Sequence, residues 1–300
     1  APSVHCIHCG TTLQCPNCQV TLTYHAINNC LICHYCALTR PISKFCEACH
    51  GADLRLIGVG TQRVEEALNA HFPNSRVLRM DVDSTRGKGA HDQILETFRK
   101  GKADILLGTQ MVSKGLDFPG VTLVGVISAD TTAHLPDFRA GERTFQLLTQ
   151  VSGRAGRGSK PGEVIIQTYL PEGEAVQCAK KHDFLTFAQM ELATRKTLGY
   201  PPFERMAILL LKGPDEYDVT QAASICAETA RRLAPSEVDV LGPVQAPISR
   251  IRNRYRWQVI LKTPSPKNLN SLSQKIMNQF ANDKRRGITI DIDIDPVSLL

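Results

Sequence analysis

The sequence predicts an α/β protein in three parts: a cysteine-rich module over residues 1–52, a lobe with a parallel sheet over 53–179, and, after a linking helix over 180–203, an α+β domain over 204–300. Three observations carry this reading. Nine of the eleven cysteines lie between Cys6 and Cys49. From Asp53 to Tyr169 short apolar runs alternate with helix-period segments, the mark of a parallel sheet covered on both faces. Beyond residue 204 the order reads β-α-β-β-α-β, the split arrangement of ferredoxin-like domains.

Composition sets the class. A chain of 300 residues, 42% hydrophobic and 21% charged, has material for a real core and is not a disordered polymer. No apolar run approaches the ~18 residues of a membrane helix, and the amino terminus lacks a signal-peptide pattern, so the expectation is a cytoplasmic protein without membrane contact. In that compartment clustered cysteines mean metal far more often than disulfide. A net charge of +6 permits a nucleic-acid partner without demanding one.

The module contains Cys6-x2-Cys9, Cys15-x2-Cys18, Cys33-x2-Cys36 and Cys46-x2-Cys49. Two intervening residues let both thiolates of a pair converge on one ion, and four thiolates close a tetrahedral structural zinc site, so four pairs make two Zn2+ sites. Neighbouring pairs could close consecutively, or the inner two could form one site nested within a second built by the outer two. Cys30 has legal spacing with Cys33 as well. His5, His8, His25, His34 and His50 read as surface or packing residues, since thiolates suffice. With few large apolar groups this stretch cannot build a core, and each zinc would supply on the order of 10 kcal/mol of folding energy.

In the lobe, DLRLIGVG from Asp53 reads as a strand. Thr61 is a hydroxyl cap for a helix with Glu65 and Glu66 in its first turn, and Val64, Ala67, Leu68 and His71 share a face. A strand from Asn74 to Met80 ends at Asp81 and Asp83, which read as loop caps rather than ligands. After a helix from Gly89 to Arg99, Ile105 to Leu107 form a buried strand ending at Gly108. Thr109, Gln110, Lys114, Gly115 and Asp117 follow its carboxyl end, where open α/β sheets bind ligands. A second buried strand covers Val121 to Ile127, and a helix from Glu142 to Gln150 leads into Gly153-Arg154-Ala155-Gly156-Arg157. Two arginines three apart among small residues suit an anion, since guanidinium forks match phosphate oxygens. The last strand falls in Gly162–Tyr169. A helical stretch from Ala175 to Leu198 would bury Phe184, Phe187, Leu192 and Leu198, and Tyr200-Pro201-Pro202-Phe203 breaks it.

In the last domain strands are expected near Met206–Lys212, Val238–Pro247, Tyr255–Lys262 and Ile288–Asp293, with helices over Val219–Leu233 and Leu269–Asn282. Arg250, Arg252, Arg254 and Arg256 alternate with Ile251, Asn253, Tyr255 and Trp257. On one straight strand they would line a nucleic-acid surface, whereas a hairpin turn at Asn253 would scatter them. Lys284-Arg285-Arg286 at a helix end complement its dipole.

GTQMVSKGLDFP and QVSGRAGR, at this order and separation, resemble motifs V and VI in the second motor lobe of superfamily 2 helicases, a RecA-like fold. The intervening PDFRAGERTFQLL narrows the resemblance to the PriA family of replication-restart DNA helicases, over essentially the whole chain and only that family's carboxyl-terminal portion. The resemblance implies that Arg154 and Arg157 reach the phosphates of ATP held with Mg2+, and that Gly115, Asp117 and Gln150 also serve the nucleotide. It places Arg63, Thr109, Gln110 and Lys114 on DNA. It implies nested zinc sites, Cys15, Cys18, Cys33 and Cys36 within Cys6, Cys9, Cys46 and Cys49, with Cys30 left free. Implied partners are forked and single-stranded DNA, single-strand-binding protein and primosome-loading proteins, acting on a monomer. GxxxxGK[ST] and a DExH-type motif are missing from the sequence, and in the family they belong to the first lobe, so the chain alone is expected not to hydrolyse ATP. The competing readings are another superfamily 2 motor and a zinc-ribbon scaffold that binds forks and partner proteins without motor activity.

Overall fold

A computed structural model describes residues 3–25, 29–57, 60–81, 84–85, 87, 89–109, 112, 118–133, 135–281 and 287–299. The chain divides into two compact units. One comprises Ala1–Ser3, Leu56–His134 and Gly141–Phe187; the other comprises Val4–Arg55, Leu135–Ala140 and Ala188–Leu300. The cysteine module and the carboxyl-terminal domain thus belong to one unit. Among the described residues no helix is long and apolar enough to cross a membrane.

The module carries β1 (Ser3–Cys6) and a small antiparallel sheet of β2 (Thr23–His25), β3 (Cys30–Ile32) and β4 (Thr39–Pro41). Its main buried cluster joins Val4, Leu13, Leu22 and Leu31 with Cys15, Cys18 and Cys33, and Cys6, Cys30 and Cys46 are buried as well. Cysteine sulfur therefore fills much of what passes for a core, as expected where aliphatic material is scarce.

From β5 (Leu54–Ile57) the chain enters the lobe. Helix α1 (Thr61–His71) is capped by Gly60 rather than Thr61, so the acids fall beyond its first turn. Freed from capping, the Thr61 hydroxyl donates to Asp81 Oδ2 at 2.6 Å, and Glu65 pairs with Arg79 at 2.6 Å. Strand β6 (Val77–Met80) runs parallel to β7 (Ile105–Gly108), with α2 (Ala90–Arg99) between them in sequence. Asp81 caps the loop after β6, its Oδ1 accepting from Ser84 N at 2.9 Å. Asp83 lies outside the described residues.

Strand β8 (Leu123–Val126) pairs in parallel with β9 (Glu163–Ile166). Between them come the short α3 (Asp130–Ala133) and α4 (Ala140–Ser152). The strands predicted to be buried on both faces are not. β7 is half-buried along its length, and Leu123 and Ile127 are exposed. Each of β7 and β8 has one partner among the described residues, and β8 and β9 turn Val126 and Ile166 from one face onto a buried cluster. That cluster holds Phe145 and Leu148 of α4 with Ala129, Cys178, Ala179 and Phe187, and the rings of Phe145 and Phe187 stack at 4.3 Å. Buried Asp130 ties the ends of β8 and β9 by accepting from Thr168 Oγ1 at 2.6 Å and from Tyr169 N.

The stretch read as one helix is two, α5 (Glu174–Lys180) and α6 (Phe184–Leu198). Of its four predicted core residues only Phe187 is buried; Phe184, Leu192 and Leu198 are exposed. Spacing explains part of this, since Leu192 lies five residues, about 140°, round the helix from Phe187. Phe184 and Leu198 occupy the two ends, where the neighbouring turn no longer shields them.

The carboxyl-terminal domain is the best-formed core. It runs β10 (Arg205–Gly213), α7 (Glu216–Leu233), β11 (Asp239–Ile251), β12 (Arg254–Thr263), α8 (Pro266–Ala281) and β13 (Thr289–Ile294). The sheet is antiparallel throughout, in the order β11-β12-β10-β13. Asp215 caps α7 by accepting from Asp218 N at 2.9 Å. Val219, Ala222, Ala223, Cys226, Ala227 and Ala230 recur at three- and four-residue steps and bury one stripe against Leu209, Leu211, Val259 and Leu261. In β13 Ile290 and Ile292 face that core while Asp291 and Asp293 face outward, Asp291 pairing with Lys212.

Candidate metal centre and arginine turn

Each cysteine pair sits in a tight knuckle. In all four the amide of the first cysteine donates to the carbonyl five residues on: Cys6 to Thr11, Cys15 to Val20, Cys33 to Leu38 and Cys46 to Gly51, at 2.8 to 2.9 Å. In three of them the residue after the second cysteine takes a left-handed conformation, Gly10 (φ 73), Ala37 (φ 59) and His50 (φ 58). Their amides close back onto Cys6, Cys33 and Cys46 at 2.9 Å. Only the first uses glycine, so the other two knuckles carry a strain that the site itself must offset.

The knuckles assemble in nested fashion. Sγ atoms of Cys6, Cys9, Cys46 and Cys49 lie within 4.8 Å of one another, and so do those of Cys15, Cys18, Cys33 and Cys36. Sulfur–sulfur separations are 3.6 Å for Cys6 and Cys49, 3.7 Å for Cys9 and Cys46, and 3.6 Å for Cys15 and Cys36. A tetrahedron with Zn–S of about 2.3 Å has edges of about 3.8 Å, whereas a disulfide needs about 2.05 Å. The donor sets therefore fit two structural zinc ions. Burial pushes the Cys18 thiol up to about 12, while the hydroxyl and amide of Thr11 hold the exposed Cys9 thiol down to about 6. A shared divalent cation is what stabilises four thiolates at such short range. Cys30 is buried in β3, outside both groups.

In the lobe, α4 ends at Ser152 and the chain turns through Gly153–Arg157. Gly153 N and Arg154 N close on Thr149 O and Val151 O at 3.1 and 3.0 Å, and Gly156 N reaches Val121 O at 3.0 Å. Gly156 has φ 72, and a Cβ there would come within 2.8 Å of Gly162 N; one on Gly158 or Gly162 would strike backbone as well. Three glycines thus let the turn lie flat on the segments at Pro119–Val121 and Pro161–Gly162. Arg157 Nε is held by Gly153 O at 2.7 Å; its side chain is exposed and Arg154 is half-buried.

Among the other sequence-predicted positions, Gln150 is exposed in the last turn of α4, Thr109 is exposed just beyond β7, and Arg63 is exposed on α1 with Nη1 3.5 Å from Leu56 O. The two arginines share one turn; Thr109 and Arg63 stand on separate elements. Gln110, Lys114, Gly115 and Asp117, like Lys284-Arg285-Arg286, lie outside the described residues.

The arginines of the β11–β12 hairpin are scattered by a turn at Arg252 and Asn253, both left-handed (φ 50 and 59). Arg254 donates to Lys212 O and Gly287 O, Arg256 to Ile248 O, and Arg252 Nε to Tyr35 O, so these guanidinium groups brace the unit. The segment Pro136–Arg139 is equally occupied. Asp137 accepts from Arg139 N, Ser298 Oγ and Leu299 N, Arg139 donates to Pro296 O, and Phe138 stacks on Tyr200 at 4.8 Å. Neither role was visible in sequence, since Arg252 and the Pro136–Arg139 segment take partners far along the chain and the contacts of Arg254 and Arg256 form only once the hairpin has folded.

Comparison with known proteins agrees with this architecture. Residues 15–41 match the model of the PriA DNA helicase Cys-rich region domain, residues 46–159 the helicase conserved C-terminal domain, and residues 196–297 the primosomal protein N C-terminal domain. Replication restart protein PriA of Bacillus subtilis is 46% identical over 298 residues, covering 99% of this chain and 37% of that protein. The chain belongs to the PriA family, matching its carboxyl-terminal portion. PriA of Synechocystis is 43% identical and that of Treponema pallidum 40%, each over 99% of this chain. The chain spans less than half the length of these PriA relatives, 37%, 36% and 45% respectively.

Proposed function

We propose that this chain works as the second motor lobe, zinc module and carboxyl-terminal domain of an ATP-dependent 3′–5′ DNA helicase that recognises stalled replication forks and initiates primosome assembly. The observation that carries this is the arginine turn. A helix end and three closely packed glycines set one tight turn that carries both arginines, and Arg157 Nε bonds back to that turn, a placement suited to charge stabilisation in phosphoryl transfer. Bound Mg2+ and ATP would supply the phosphoryl chemistry. Arg154 and Arg157 would hold the phosphate charge, with Gly115, Asp117 and Gln150 beside the nucleotide, and Thr109, Gln110, Lys114 and Arg63 on the DNA strand. The two zinc ions are structural. Forked and single-stranded DNA, single-strand-binding protein and primosome-loading proteins are the proposed partners of a cytoplasmic monomer.

Arg157→Ala in the full-length protein is expected to lower DNA-stimulated ATP turnover by about 10³-fold or more, the usual contribution of such an arginine, with zinc content unchanged. Turnover within a few-fold of wild type would sink the assignment. A scaffold reading draws on a different observation: module and carboxyl-terminal domain form one compact unit apart from the lobe, so fork binding could persist with the motor idle.

A further inference from the structure

The four knuckles are not equivalent. In three, the amide two residues beyond the second cysteine supports that cysteine's sulfur: Thr11 for Cys9, Leu38 for Cys36 and Gly51 for Cys49. In the same three the amide directly after the second cysteine closes the turn onto the first cysteine's carbonyl. The fourth knuckle, Cys15–Cys18, is built otherwise. The amide following Cys18, that of Gln19, goes to Arg250 O at 3.1 Å. The amide on Cys18 Sγ is that of Arg252, at 3.0 Å, from 234 residues away.

These contacts form a continuous joint. Asn253 N donates to Asn17 O at 2.8 Å, inside the same knuckle, and Arg252 Nε donates to Tyr35 O at 2.9 Å, inside the knuckle that shares its metal. Ser249 Oγ bonds Gln19 Oε1, and Ile251 packs on the cluster of Val4, Leu13, Leu22 and Leu31. The left-handed pair Arg252 and Asn253 folds the tip so that its amides point at the knuckle.

We infer that the tip of the β11–β12 hairpin, residues 249–253, is a structural part of the inner four-cysteine site, completing its fourth knuckle in place of local backbone and coupling metal retention there to the carboxyl-terminal domain. The outer site, Cys6, Cys9, Cys46 and Cys49, has both of its knuckles closed locally and stands as an internal control. A group that orients a metal ligand is commonly worth 10- to 100-fold in affinity, and the coupling is reciprocal. The inference rests on the zinc reading of both sites.

The test is chelator-driven zinc release from the full chain, followed with a colorimetric zinc indicator, in wild type and Arg252→Pro, which removes the amide donor and cannot hold a positive φ. One of the two ions is expected to leave about ten-fold faster or more, the other at the wild-type rate, with Cys9→Ser identifying the outer phase. Asn253→Gly, which keeps the turn and its amide, should release zinc as wild type does. Equal rates in wild type and Arg252→Pro, or equal acceleration of both ions, overturn the coupling. Fewer than two zinc ions in the wild type overturn the zinc reading beneath it, and the coupling with it. Should Arg252→Pro not fold, amide hydrogen exchange decides: protection at Gln19, Arg252 and Asn253 should fall in Cys33→Ser and persist in Cys9→Ser, and unchanged protection in Cys33→Ser overturns the proposal.

Discussion

Asp81 shows how one side chain joins elements in the lobe. Burial works against its charge, but the Thr61 hydroxyl, the Ser84 amide and Arg79 together hold its carboxyl below the usual range. A depressed folded pKa means stability that is present above the unfolded value of about 3.9 and is lost as pH falls through the folded one. The chain is therefore expected to weaken below about pH 4, and Asp81→Asn to be weaker by about 1.5 to 3 kcal/mol at neutral pH, the range for bonds to a charged group. Urea midpoints taken from pH 7 downward check both, and the variant should lose less than wild type across the acid range. The role of Asp81 as a loop cap was legible, because a carboxylate at a strand end has few other uses. The link to Thr61 was not, because Thr61 itself reads as a cap.

Among the elements, α7 was the most legible and α6 the least. A three-and-four spacing of small residues can bury only one stripe, so Val219 to Ala230 fix which face of α7 meets the sheet. The apolar residues of α6 follow no such stripe, and length alone suggested burial. The paired sheet inherits a clear energetic contrast. Leu209→Ala, at a fully buried position of β10, should cost about 2 to 5 kcal/mol, whereas Leu241→Ala at an exposed edge position should stay within about 0.5 kcal/mol. Denaturation followed by the fluorescence of Trp257, the single tryptophan and half-packed on this core, measures both.

At the scale of the molecule, the module and the carboxyl-terminal domain share a unit although most of residues 56–187, which lie between them in sequence, belong to the other unit. A surface made of both is what the proposed fork recognition would use, and a net charge of +6 gives the chain as a whole a modest attraction for phosphate. The zinc-loaded chain is expected to bind a labelled fork more tightly than plain duplex in fluorescence anisotropy, with affinity falling linearly on a log scale as salt rises. Equal affinity for both DNAs would move fork recognition outside these residues.

What the sequence determined by itself is what local spacing can encode. Two residues between cysteines define a knuckle, four knuckles define two metal sites, and strand–helix alternation together with a βαββαβ order defines the elements. Glycines around Arg154 and Arg157 announce a tight basic turn for the same reason. Tertiary structure alone decided which knuckle is closed by which backbone, and that Arg252, Arg254 and Arg256 brace their own unit. It also decided that Pro136–Arg139 is clasped by the chain's last residues. Apart from those of Arg254 and Arg256, these pairings join residues 157 to 234 positions apart, and an amide or guanidinium finds such a partner only once separate elements have packed, so no periodicity records it.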